Sequence, residues 1–195
     1  MIPAWVDRRE YPFEPRTLDV DGGRLSYVDE GEGAPIVMVH GTPTWSFLYR
    51  HLTRSLKERH RCMVPDHLGF GLSDRPRGWS YRPEDQARNL ARLIETLALK
   101  DLTLVVHDYG GPIGLAYAID HPENVCRLVL FNTWMWSWAG DRRMEWSGRI
   151  LGRYLGRWRE VFERAEMVEL PDCGHAPPEE RAPEALKRLA PFLER

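Results

Sequence analysis

No apolar run in this 195-residue chain approaches membrane-spanning length. The longest, such as Ile36–Val39 and Leu128–Phe131, fall far short of the roughly 20 residues a spanning helix needs. Neither sign of charge prevails, with 27 Lys and Arg against 29 Asp and Glu. A net charge of −2 argues against nucleic acid or a membrane surface as a partner. Cysteine is sparse, and Cys62, Cys126 and Cys173 form no motif. An odd count in or beside predicted strands reads as reduced, packed thiols. No His, Cys and Asp cluster shows ligand spacing, so neither a metal nor a cofactor is expected. Repeats, low-complexity tracts and linkers are also missing. The N-terminal MIPAWVDRREYPFEP has no apolar signal core, so a cytoplasmic location is expected.

What is present is the composition of a globular protein, 43% hydrophobic and 29% charged. The length suits a single domain over residues 1–195 with a core that needs no disulfide or metal. Residues 17–31 read as two short strands around an Asp-Gly-Gly turn. Ile36–His40 and Cys62–Pro65 read as buried strands. Between them, Phe47, Leu48, Leu52 and Leu56 have helical spacing over Ser46–Glu58. Pro83 opens a helix to about Leu97 with Leu90, Leu93, Ile94 and Leu97 on one face. A strand from Leu102, a helix over about Gly111–His121 and a strand Arg127–Phe131 follow. A strand Ala165–Leu170 and a helix Pro183–Leu193 end the series. Strands alternating with helices imply a mostly parallel α/β sheet with helices on both faces.

The stretch 133–164 contains no strand-like run. From Met144 onward, Ile150, Leu151, Tyr154, Leu155, Trp158, Val161 and Phe162 share a helical stripe, with Arg149, Arg153, Arg157 and Arg159 opposite. This reads as an amphipathic helix crossing the sheet with a solvated basic face; a membrane or partner surface is the alternative.

The most informative segment is LTLVVHDYGGPIG, residues 102–114. A strand ends on Asp108, and the glycine-rich start of a helix follows at once. In open α/β sheets, ligand sites lie beyond the carboxyl ends of the strands, which is where Asp108 falls. A carboxylate exposed there can attack carbon and form an ester intermediate, which suits carbon–halogen or epoxide C–O bonds. Asp also suits a helix cap, but the flanking Gly110 and Gly111 permit the tight turn that an exposed nucleophile demands.

VHGTPTWSFLYR, DHLGFGLSDRP, VVHDYGGPIGLAYA and PDCGHAPPEE follow one another in an order that resembles the α/β-hydrolases. With aspartate at the nucleophile elbow, the chain is most similar to the haloalkane dehalogenase and epoxide hydrolase branch, and closer to the dehalogenases. The likeness runs through residues 20–135 and resumes at about 157–195. It implies Asp108 as nucleophile and His175 as the base that activates water. It implies the backbone N–H groups of Thr42 and Tyr109 as an oxyanion hole. The expected substrate is a small apolar electrophile that reacts with water.

The chain departs from the family in several places. Val106 stands where many hydrolases carry glycine. Thr42 and Tyr109 stand where dehalogenases usually hold the departing halide with Asn and Trp. The carboxylate that orients the histidine belongs after the sixth or seventh strand. Asn132 follows the sixth, and the segment for the seventh is absent, as is most of the cap. The join falls near Gly156–Trp158, leaving 133–157 as a residual cap or crossover helix. A right-handed crossover would then put Ala165–Leu170 in the missing strand's place. Asp141 and Glu145 are the candidate substitute acids. Among the other residues, Asp66 and Asp172 read as structural. His40 and His107 read as hydrogen-bonding neighbours of the site, and His51, His60, His67 and His121 as surface or loop residues. Trp45, Trp134, Trp136 and Trp138 line a pocket or simply pack. Alternatives to dehalogenation are an epoxide hydrolase, with Tyr154 as the remaining cap tyrosine, and a β-lactone-processing relative. From another class comes a catalytically impaired paralogue acting as an interaction module.

Overall fold

A computed structural model of the chain describes residues 2–135, 158, 162, 165–170 and 172–195. Among the described residues, six strands form one sheet: β1 (Arg16–Val20), β2 (Gly23–Glu30), β3 (Pro35–Val39), β4 (Arg61–Pro65), β5 (Leu102–Asp108) and β6 (Val125–Thr133). Their order is β1-β2-β4-β3-β5-β6. The β1–β2 and β2–β4 pairs are antiparallel, and β3–β4, β3–β5 and β5–β6 are parallel. The helices among the described residues include α1 (Arg50–Leu56), α2 (Pro83–Thr96), α3 (Gly110–Asp120), α4 (Pro177–Glu180) and α5 (Ala182–Leu193). A 3-10 turn, Ser46–Tyr49, leads into α1, so the expected helix over 46–58 is two shorter elements.

Period-two alternation in the central strands sorts their side chains onto two faces. Ile36, Met38, Val64 and Val105 pack with Leu52 and Leu56 of α1 and Ala185 and Leu189 of α5. Val37, Val39, Met63, Leu104 and Val106 pack on the other face with Leu90, Leu93 and Ile94 of α2 and Ile113 and Tyr117 of α3. This is the doubly covered, mostly parallel sheet that the alternation of elements implied.

Three expectations need correction. Residues 165–170 form no strand. They are largely exposed, and Glu166 faces Arg188 and Arg195 of the C-terminal region at 3.8 and 4.0 Å. Local alternation in AEMVEL suits a strand, but a strand needs an edge within reach, and β6 remains the last strand of the sheet. His67 lies in the loop after β4, as expected, but it is buried rather than at the surface: its ring Nε2 bonds the His40 carbonyl at 3.0 Å, and its backbone N–H donates to His40 Nε2 at 3.0 Å. Of the cysteines, Cys62 is buried but Cys126 is exposed, with its thiol on the Asp101 carbonyl. Most of the helical stripe, together with Trp136, Trp138, Asp141, Glu145 and Tyr154, lies outside the described residues. No helix among the described residues is long and apolar enough to cross a membrane.

Candidate active site

Asp108 is the last residue of β5, and all seven residues of that strand are buried. Its φ of 52° lies in the left-handed region that a non-glycine residue rarely enters, and such strain persists only where the surroundings enforce it. The enforcement is visible in the close approach of backbones. A Cβ on Gly110 would collide with the Val39 carbonyl oxygen, and one on Gly41 would collide with the Asp108 side chain. The Thr133 hydroxyl donates to the Asp108 carbonyl at 2.6 Å, tying the turn to the end of β6. Val106, the departure from the usual glycine, is accommodated from α3. A Cβ on Gly114 would sit 2.7 Å from Val106 Cγ1, so the volume gained on the strand is released on the helix.

The carboxylate is engaged on both oxygens. Oδ1 accepts the Thr42 backbone N–H at 2.9 Å, and Oδ2 lies 3.1 Å from His175 Nε2. The Tyr109 backbone N–H also donates to the carboxylate. Burial acts to raise the Asp108 pKa, but the His175 hydrogen bond and the N–H groups of Tyr109 and Thr42 outweigh it, and the group is held below the usual carboxylate value. It is anionic at neutral pH. The hydrogen bond to Asp108 is the main cause of the opposite shift in His175, raised above the usual histidine value.

All four expected site residues, Asp108, His175, Thr42 and Tyr109, are therefore brought together. The Tyr109 ring is partly exposed and stands edge-on to Trp134 at 5.1 Å. Beside it a cavity of about 660 Å³ is lined by Thr42, His67, Phe70, Tyr81, Tyr109 and Ile113, among others. Among the described residues, no carboxylate bonds the Nδ1 of His175, and the candidate acids Asp141 and Glu145 are outside them. Asn132, where one family acid would stand, instead donates its side-chain amide to the carbonyls of Gly174 and His175 at 3.2 and 3.0 Å.

Beneath the site, buried polar groups hold the loops. His40 and His67 are both kept neutral by burial, His67 with its pKa pushed down to about 4. Asp66, pushed up by burial to about 6, accepts the backbone N–H groups of Ser46 and Leu72 at 2.7 and 2.8 Å. It is thus a structural turn residue. Among the described residues, no group of three or more His, Cys, Asp or Glu is placed to hold a metal ion.

An anionic carboxylate on a strained turn, beside a histidine and backbone donors, can attack an electrophilic carbon and have the resulting ester hydrolysed. Residues 34–148 match the family described as "alpha/beta hydrolase fold". Haloalkane dehalogenase 2 of Mycobacterium tuberculosis (strain ATCC 25618 / H37Rv) is 47% identical over 130 residues, 67% of this chain and 46% of that protein. The cis-3-alkyl-4-alkyloxetan-2-one decarboxylase of Xanthomonas campestris pv. campestris is 41% identical over 161 residues, 76% of this chain and 53% of that one. Among solved structures, the tetrameric haloalkane dehalogenase DpaA of Paraglaciecola agarilytica NO2 superposes with a TM-score of 0.61 at 31% identity. That match covers 85% of this chain and 56% of DpaA. The chain thus spans about half the length of the curated relatives it matches.

Proposed function

The chain belongs to the alpha/beta hydrolase fold family, and from that premise we propose that it hydrolyses small haloalkanes through a covalent ester on Asp108. The Asp108 Oδ2 attacks the carbon bearing the halogen, the carbon–halogen bond breaks, and halide leaves with the electron pair. His175 Nε2 then takes a proton from water as the water oxygen adds to Asp108 Cγ. Charge develops on Oδ1, which already accepts the Thr42 N–H, and the Tyr109 N–H also bonds the carboxylate. Collapse expels the alkoxide, which takes the proton back from His175. Asp108 is left as the acid and loses the second proton of the water to solvent, which regenerates the carboxylate; the balance is haloalkane plus water to alcohol, halide and a proton.

The observation that carries this reading is the 3.1 Å contact between Asp108 Oδ2 and His175 Nε2 with Oδ1 on the Thr42 N–H. One turnover with excess protein in ¹⁸O-labelled water tests it. Attack by Asp108 leaves the first alcohol unlabelled and the label in the protein; direct attack by water puts the label in the alcohol. A second reading, opening of a strained lactone by the same carboxylate, draws on the similarity to the oxetanone decarboxylase, which extends over 161 residues. Halide release separates the two.

A further inference from the structure

On the reading of His175 as the base, we infer that Glu180 is the residue that positions it. Its carboxylate accepts the backbone N–H of Gly174 at 2.5 Å and of Ala176 at 2.9 Å, one on either side of His175. Glu180 ends α4. A helix cap alone explains the bond to Ala176, the residue before the helix. The bond to Gly174 reaches past that position to the far side of the histidine. The fit is close: a Cβ on Gly174 would stand 2.6 Å from Glu180 Oε2.

The rest of the loop is held from the sheet. His107 of β5 donates Nε2–H to the His175 carbonyl at 2.7 Å, and Asn132 of β6 donates to the same oxygen. Among the described residues, the charged and titratable groups facing His175 are Asp108 and His107 from β5 and Glu180 from α4, with Arg181 next to Glu180. Asp108 and Glu180 both act to raise the His175 pKa. Once Asp108 is esterified its negative charge is gone, and Glu180 is then the one carboxylate in this set that still favours the imidazolium. An acid bonded to Nδ1 would orient the ring and stabilise its charge. Glu180 does the first through the backbone and the second through space.

The test is titration by NMR of the whole chain, which needs no substrate. In the unmodified protein, the Gly174 and Ala176 amide protons should move together as Glu180 titrates, below the usual carboxylate value because both N–H bonds favour its charged form. In Glu180→Gln the His175 midpoint should fall by about 0.5 pH unit. Ester hydrolysis should slow by about tenfold while ester formation stays within about threefold. Glu180→Asp keeps the charge at shorter reach and should retain most of the His175 midpoint. Glu179→Gln removes a carboxylate of the same helix that pairs with Arg50 and should alter stability without moving that midpoint. Amide protons indifferent to Glu180, or a His175 midpoint unchanged in Glu180→Gln, overturn the assignment, and the amide result stands even if that variant fails to fold. A chain that forms no ester but shows both titrations would refute the proposed reaction and leave the positioning intact.

Discussion

Replacing Gly41 by alanine puts a methyl group where the Asp108 carboxylate stands. A Cβ built there lies 2.4 Å from both Asp108 Cβ and Oδ1, and 2.8 Å from Cγ. Ordinary carbon contacts begin at about 3.5 Å, so the Asp108 side chain must retreat by about 1 Å. Oδ1 is the atom held by the Thr42 N–H, so the retreat also weakens the donor contact that later stabilises the oxyanion. Overpacking of this kind costs about 1–3 kcal/mol. The opposing gain, from reduced freedom of the unfolded chain, is only about 0.4–1 kcal/mol. Net destabilisation of about 1–2 kcal/mol is expected. A misplacement approaching 1 Å slows a positioned reaction by up to about 10²-fold, and ester formation should fall by that order. Urea unfolding reports the first quantity, and the rate of mass increase with excess bromoalkane reports the second. A folded Gly41→Ala protein that forms ester within about threefold of the parent rate would refute the argument that this backbone approach sets the carboxylate.

His175→Gln should leave ester formation in place and slow ester hydrolysis by about 10²–10⁴-fold, so the alkylated protein accumulates and is seen by intact mass. Ester hydrolysis in the parent needs neutral His175 and should rise with pH through the histidine midpoint. The free protein should titrate above the usual histidine value because Asp108 is anionic, and the esterified protein lower, since that charge is gone; equal midpoints would contradict the ion pair. Val106→Ala and Gly114→Ala form a double-mutant cycle: each alone should destabilise, by about 1–3 kcal/mol. The pair should recover at least about 1 kcal/mol relative to additivity, measured by urea unfolding.

The strands Ile36–His40 and Cys62–Pro65 and the turn at Asp108 were legible because each is set by local pattern: short apolar runs closed by Gly or Asp. Observed bounds differ by a residue or two, as at Pro35–Val39 and Arg61–Pro65. The proximity of Asp108 and His175, 67 positions apart, was legible only through motif order, since spacing along the chain gives no distance. The misread features depend on partners far away in sequence. Ala165–Leu170 has the alternation of a strand, but no run of six residues announces whether a sheet edge will meet it. His67, in a turn rich in Gly and Asp, reads as exposed until His40, 27 positions earlier, closes over it. Glu180 left a faint signal, a carboxylate shortly after Gly-His and two prolines, but its two backbone bonds exist only once that loop has turned back on α4.

Alkylation of Asp108 is the step on which the proposed chemistry most directly depends. The purified chain, incubated with a short bromoalkane and examined by intact mass and peptide mapping, should gain one alkyl group on Asp108, with one equivalent of bromide released. Asp108→Asn should gain none. A folded chain that neither gains mass nor releases bromide, or an adduct that persists in Asp108→Asn, would contradict it.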